Sequence, residues 1–362
     1  MGENTKGRSD LPTDLPTNLP TNLPFLRFFH STPQRPRPAT MSDYLTAALY
    51  QFVDLPDFEQ MQAPLLAFCE AHDVRGTLLL AAEGINGTIA GPEAGVRAVL
   101  ARLRQDPRLT SLEHKEALSP RAPFYRMKVR VKKEIVTLGV EGINPNRLAG
   151  EYVKPEDWNA LISQPDVVLI DTRNDYEVKV GTFKGAINPG TESFSQLPQW
   201  VEREMQPGGA LHAADGKKPR VAMFCTGGIR CEKSTAFMRT HGFDEVYHLR
   251  GGILKYLETV PEASSAWSGE CFVFDERVSV GHDLKPGHLE LCRSCRDPVT
   301  AEDKRSPHYV KGVSCPSCFD KTTEAQKQSF RERERQIALA LARNERHIGV
   351  PRGLAAKTPK PD

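Results

Sequence analysis

The 362-residue chain reads as an α/β protein in three parts. These are a ferredoxin-like α+β sandwich, a doubly wound parallel domain, and a Cys-rich, zinc-ribbon-like segment that runs into a long helix. Three observations predict this. Between about 47 and 139, apolar alternation and helical spacing give the order βαββαβ. Between 152 and 259, continuous apolar runs such as Val167–Ile170 and Val221–Phe224 alternate with helical patterns, as in sheets covered on both faces. Cys292-Arg-Ser-Cys295 and Cys315-Pro-Ser-Cys318 then form two CxxC pairs at ribbon distance. The expected boundaries are 1–40 for a leader, then 41–146, 147–262 and 263–362.

In residues 1–40 a Leu-Pro unit recurs from Leu11 to Pro24, and proline this frequent denies helix and sheet their donors, so an extended tail is expected. The acid-free stretch from Pro24 to Met41 faintly resembles a mitochondrial transit peptide, but Glu3, Asp10 and Asp14 argue against one. Met41 is the expected start of the protein, with the leader an upstream extension of the reading frame.

The sandwich is predicted as a strand at Leu49–Val53, a helix at Phe58–His72 and a hairpin over Gly76–Ala90 that turns at Gly84-Ile-Asn-Gly87. A second helix at Pro92–Leu103 and a final strand region at Phe124–Leu138 complete it. In that last strand Arg126, Lys128, Arg130 and Lys132 alternate with Tyr125, Met127, Val129 and Val131, which places four cations on one face. Such a face is either a solvated edge that discourages aggregation or a surface for RNA phosphates.

In the second domain the strands Val167–Ile170, Val221–Phe224 and Glu245–Leu249 alternate with helices at Pro155–Ile162, Leu197–Glu204, Ser234–Thr240 and Ile253–Leu257. Ligands of such domains sit at the carboxyl ends of strands, and Cys225 occupies one. The run Cys225-Thr226-Gly227-Gly228-Ile229-Arg230 is a device for making a thiolate. Inward-turned amides, a helix dipole beginning near Ser234 and the Arg230 charge should hold the thiol below its ordinary value of about 8.5. A buried cysteine before an ordinary turn would have no use for two glycines and an arginine. Phosphatases with a Cys–Arg loop place five residues between the two; here four intervene, a tighter ring suited to a single sulfur atom or a small anion. No His or Asp base adjoins, so activation is by field. Cys231 is either a resolving thiol or a member of the following helix.

Cys292, Cys295, Cys315 and Cys318 would complete a tetrahedral shell, which points to structural zinc, with reduced or redox-active CxxC pairs as the alternative. Thr322–Arg346 is expected to be a long charged helix, either solvated or an RNA-binding arm. Composition narrows the rest. A formal net charge of +2 excludes a global polycation, and no apolar run is long enough to span a bilayer. The cysteine pattern suits a reducing, cytoplasmic setting.

Asp171-Thr-Arg-Asn-Asp-Tyr-Glu177, Gly181-Thr-Phe-Lys-Gly-Ala-Ile187, the Cys225 loop and Gly251-Gly252-Ile253 resemble the successive signatures of a rhodanese domain. The resemblance implies Cys225 as a persulfide-forming nucleophile, Asp171 and Arg173 tying down the loop region, and Glu177 supporting the fold. Ala82-Glu-Gly-Ile-Asn-Gly87, Cys271-Phe-Val-Phe-Asp-Glu-Arg277 and Tyr309–Cys318 extend the likeness. From about 44 to 318 the chain resembles the tRNA uridine hydroxylase family. That implies 5-hydroxylation of the wobble uridine in the anticodon loop of bacterial tRNA, with molecular oxygen as co-substrate, tRNA as partner, and neither DNA nor membrane. Arg126, Lys128, Arg130 and Lys132 become candidates for gripping anticodon-arm phosphates. No Gly-rich dinucleotide fingerprint is visible, so neither flavin nor nicotinamide is indicated and the electron source is not identified. Cys225, as thiolate or persulfide, is expected to add to C6 of uracil and make C5 nucleophilic. The rival reading is a sulfurtransferase moving sulfane sulfur through a Cys225 persulfide, which leaves the first and third parts without a role. A binding module with a relic loop is a third, opposed by the intact Cys225 and Arg230.

Overall fold

The computed structural model describes residues 44–343 except 120–122, 214–215 and 276. The expected leader and the end of the C-terminal tail lie outside the described residues.

The first domain comprises β1 (Tyr44–Phe52), α1 (Phe58–Ala71), β2 (Arg75–Ala81), β3 (Gly84–Gly91), α2 (Glu93–Arg104), β4 (His114–Ser119) and β5 (Met127–Val131). The sheet order is β4-β1-β3-β2-β5. The first four strands in that order are the ferredoxin-like arrangement, with β5 added parallel to β2. Two expectations are corrected here. The strand that closes the βαββαβ unit is β4, whose sequence His-Lys-Glu-Ala-Leu-Ser is too polar to announce itself. The cationic strand is instead a fifth, at the opposite edge. The hairpin turns at Ala82-Glu83, and Gly84–Gly87 belong to β3, where Gly84 and Gly87 let neighbouring backbones approach.

Both helices cover one sheet face. Leu45, Ala47 and Leu49 of β1, Leu78 and Leu80 of β2, and Ile85 and Ile89 of β3 pack there against Leu65 and Cys69 of α1 and Val96, Val99 and Leu100 of α2. Period two sends Thr46, Ala48 and Tyr50 to the other, helix-free face. Strand register aligns Lys115, Ala48, Thr88, Thr77 and Lys128 in one row across all five strands of that face.

The second domain contains β6 (Glu151–Val153), α3 (Pro155–Ile162), β7 (Val167–Asp171), α4 (Asp175–Val178), β8 (Gly181–Phe183), α5 (Leu197–Glu204), β9 (Arg220–Phe224), α6 (Ile229–Thr240), β10 (Val246–Leu249) and α7 (Gly252–Thr259). Strands β6, β10, β9 and β7 form a parallel sheet in that order. Ile170, Val221 and Met223 pack on α5 and α6, whereas Leu169, Ala222 and Phe224 pack on α3 and α7. Helices on both faces make the sheet doubly wound. A third expectation is corrected: α6 begins at Ile229, not near Ser234, so Arg230 and Cys231 lie in its first turn.

β11 (Trp267–Gly269) pairs with β8, and two short ribbons follow, β12 (Cys271–Phe272) with β13 (Ser279–Val280) and β14 (Glu290–Leu291) with β15 (Pro298–Val299). The chain then forms α8 (Glu324–Ala342), capped by Thr323, whose hydroxyl accepts from the Gln326 amide. No helix of the described residues is long and apolar enough to cross a membrane.

Candidate active site

Strand β9 delivers Cys225 to the carboxyl edge of the parallel sheet, where the residue is 1 % exposed. The chain turns through Gly228, whose φ of 107° is left-handed and whose missing Cβ leaves room for Tyr50 Oη. The Gly228 amide donates to Cys225 Sγ at 3.1 Å. Burial alone would raise the Cys225 pKa. A hydrogen bond from the Cys231 thiol, the charge of Arg230, and the Cys231 and Gly228 amides outweigh it and bring the thiol down to about 6. Cys231, buried beside it, is pushed up by the same burial and by its neighbour's charge, so it keeps its proton and serves as donor.

Each neighbour of the loop has a traceable support. Arg230 is held bidentately by Glu177, with contacts of 2.8 and 3.0 Å, and Glu177 also accepts from Thr226 Oγ1 at 3.3 Å. The Arg230 charge is thus fixed at the loop rather than free to chase a ligand. The Ile253 and Leu254 amides, opening α7, donate to the carbonyls of Cys225 and Thr226 at 2.9 and 3.1 Å. Gly252 permits this approach, because a Cβ there would stand 2.5 Å from the Cys225 carbonyl oxygen.

Asp171 and Arg173, both fully buried, form a bidentate pair with contacts of 2.9 and 2.7 Å. They fasten the end of β7 to β8, where Thr182 donates to Asp171 and Arg173 donates to the Gly181 carbonyl. The residue between them reaches the loop itself. Thr172 Oγ1 donates to the Phe224 carbonyl at 2.9 Å and lies 3.6 Å from Cys231 Sγ.

Sequence reasoning missed what the first domain contributes. Tyr50, on the helix-free face, donates to Glu232 of α6 at 2.9 Å. Lys115, from β4 on the same face, donates to the Gly251 carbonyl. Its pKa is lowered by burial, partly offset by the nearby Cys225. Lys233 of α6 is 1 % exposed and pairs with Glu83 at 2.8 Å and with Glu134. Glu83 also accepts from the Ile135 amide at 2.7 Å, and Asn86 donates to the Ile135 carbonyl at 2.9 Å. The motif Ala82–Gly87 therefore docks the first domain onto the helix that carries the thiol.

The cations in and flanking β5 stand as their alternation implies. Met127 and Val129 are buried, Arg126, Arg130 and Lys132 are exposed, and Lys128 is half-buried. Lys128 has its pKa lowered, first by the charge of Arg126, then by burial and by Arg130. Arg126 and Lys128 line a cleft of about 510 Å³ shared with Tyr125, Tyr176, Phe274 and Arg296. Phe274 is 62 % exposed, and its ring centroid lies 5.9 Å from Arg230 Cζ, so the cleft adjoins the Cys225 loop. The four cysteines 292, 295, 315 and 318 converge in the third part, with all four sulfurs within 4.8 Å of one another.

A family model described as a UPF0176 acylphosphatase like domain matches residues 44–135, and one described as a Rhodanese-like domain matches residues 154–259. The tRNA uridine(34) hydroxylase of Albidiferax ferrireducens is 65 % identical over 310 residues, 86 % of this chain and 96 % of that protein. The proteins of the same name from Teredinibacter turnerae and Acaryochloris marina are 58 % and 60 % identical over 309 and 310 residues. These matches cover 85 % and 86 % of this chain and 94 % and 97 % of the two relatives. With both domains matched and the likeness running almost end to end through those relatives, the chain belongs to the tRNA uridine(34) hydroxylase family.

Proposed function

We propose that this chain hydroxylates C5 of the uridine at position 34 of tRNA, in the anticodon loop, with Cys225 as nucleophile and molecular oxygen as co-substrate. One observation carries the reading. Tyr50 reaches Gly228 in the loop that holds an acidified thiol, and Lys115 holds the Gly251 turn packed against it, on the same helix-free sheet face whose far edge bears Arg126, Lys128, Arg130 and Lys132. The row from Lys115 to Lys128 crosses four strand spacings of about 4.8 Å, roughly 19 Å in all. That is a span over which a single-stranded loop can lay its backbone on cations while one base turns toward the thiol. Exposed Tyr125 and Phe274 offer stacking surfaces beside this path.

Thiolate addition forms a C6–S bond and sends the C5=C6 electron pair into an enolate over C5 and O4. C5 then bonds oxygen, the C5 proton leaves, and loss of the thiolate breaks the C6–S bond and restores the ring. One oxygen atom is inserted at C5, and the other departs as water, using two electrons and two protons from a soluble thiol-class reductant. Cys225 suits this role because it is ionised near neutrality and shielded from solvent. All eight cysteines are free of disulfides, in keeping with action in a reducing cytoplasm.

The test is expression in cells that lack uridine-34 hydroxylation, with mass spectrometry of their tRNA nucleosides. 5-Hydroxyuridine and its derivatives are expected under aeration and not under strict anaerobiosis. Equal yields in both would remove oxygen from the reaction, and no product in either would remove the activity.

A further inference from the structure

We propose that Cys292, Cys295, Cys315 and Cys318 hold one structural zinc ion, and that this ion sets the far wall of the cleft beside the cationic strand. The geometry is specific. The sulfur separations are 3.9 Å for Cys292–Cys318, 3.6 Å for Cys295–Cys315 and 3.8 Å for Cys315–Cys318. A tetrahedron of thiolates about 2.3 Å from zinc has edges of about 3.8 Å, whereas a disulfide brings two sulfurs to about 2.05 Å. The sulfurs are therefore spaced for a common ion and not for pairing.

The backbone around them is folded as two knuckles. Cys292 donates its amide to the Asp297 carbonyl and accepts from the Arg296 amide, both at 2.9 Å, with Arg296 at a φ of 75°. In the second knuckle the Cys315 amide donates to Cys318 Sγ at 3.3 Å, an N–H directed at a ligating sulfur. Ser294 Oγ joins the knuckles through the Val313 carbonyl at 2.5 Å.

Little else holds this region. Its core is the four cysteines with Val299 and Tyr309, and its sheet is two strands of two residues each. An apolar core this small does not fold by burial, and metal binding supplies folding free energy in such units. Thiolate-only donors favour zinc over hard cations, and four of them leave no open position, so the ion is structural.

Its placement gives it a consequence. Leu291, Cys295, Arg296 and Asp297 of the first knuckle line the same cleft as Arg126 and Lys128. Helix α8 rests on the second knuckle, where Arg333 donates to the Gly312 carbonyl at 2.8 Å. The effect on RNA rests on the cleft being the tRNA surface proposed above; the zinc content does not.

The test uses the full chain, purified without a metal-affinity step. Elemental analysis should give one zinc per chain, released by a mercurial thiol reagent and detected with a chromogenic chelator. A preparation with four free, reduced thiols in this segment and under about 0.1 zinc per chain would overturn the site, as would stoichiometric iron. Cys292→Ser/Cys318→Ser should lose the zinc, open residues 290–343 to proteolysis and weaken tRNA binding about tenfold or more, whereas Cys69→Ser should keep all three. Zinc-free protein that binds tRNA like the wild type would overturn the cleft-wall role. If Arg126→Glu keeps both its zinc and full tRNA affinity, the RNA reading fails and the metal site stands.

Discussion

At the scale of single residues, the proposed chemistry turns on how a thiol buried to 1 % exposure ionises near pH 6. Burial opposes a thiolate, so the stabilisation must come from the groups around the sulfur: the Cys231 thiol and amide, Arg230, and the Gly228 amide that donates to it. Because its pKa is depressed, the thiolate persists well below the pH at which an ordinary cysteine protonates. Alkylation of Cys225 by iodoacetamide should therefore be near its plateau at pH 7 and fall by half close to pH 6. A midpoint of about 8.5, the value of a free cysteine, would contradict the site. Most of this was legible in advance, because Cys225, Gly228 and Arg230 lie within six residues and strand–loop–helix geometry fixes their relation. Thr172 was not, since a threonine between an Asp and an Arg carries no signal until β7 and β9 are laid side by side.

At the scale of elements, α6 joins the domains. It begins directly after a left-handed glycine, and with Gly228 at the N-cap no Ser, Thr, Asp or Asn side chain marks that start, so sequence placed it later. The helix presents Lys233 to Glu83 and Glu134, carboxylates about 150 and 99 positions away, a pairing no local pattern reveals. Removing a buried lysine leaves two largely buried carboxylates uncompensated. Lys233→Met should cost about 3 kcal/mol in denaturant unfolding, and a loss under about 1 kcal/mol would show that the latch is not structural. Strand β5 makes a different kind of prediction. Its cations alternate with residues packed on α1, where Gln62 donates to the Val129 carbonyl at 2.8 Å, so charge reversal leaves the core untouched. Arg126→Glu/Lys128→Glu should weaken tRNA binding and flatten the log–log salt dependence by about one to two phosphate contacts. An unchanged slope would make the strand a solvated edge.

At the scale of the whole molecule, the first domain docks on the helix and the turn that flank the Cys225 loop. From the helix-free sheet face Tyr50 meets Gly228 and Glu232, Lys115 holds the Gly251 carbonyl, and the row ending at Lys128 continues that face to the cationic edge. The three-part organisation and both large folds could be read from periodicity and motif order. The juxtaposition of the parts could not, because it depends on contacts between residues about a hundred positions apart or more. The closing strand β4 escaped notice for a related reason: its partners, not its composition, make it a strand. Hydroxylation of uridine 34 through Cys225 is what the proposed site should perform. It is tested most directly by comparing wild type and Cys225→Ser in cells lacking the activity, with wobble nucleosides measured by mass spectrometry under aeration. 5-Hydroxyuridine derivatives are expected with the wild type and none with Cys225→Ser at equal protein levels. Equal product from both would show that the thiol is not the catalyst.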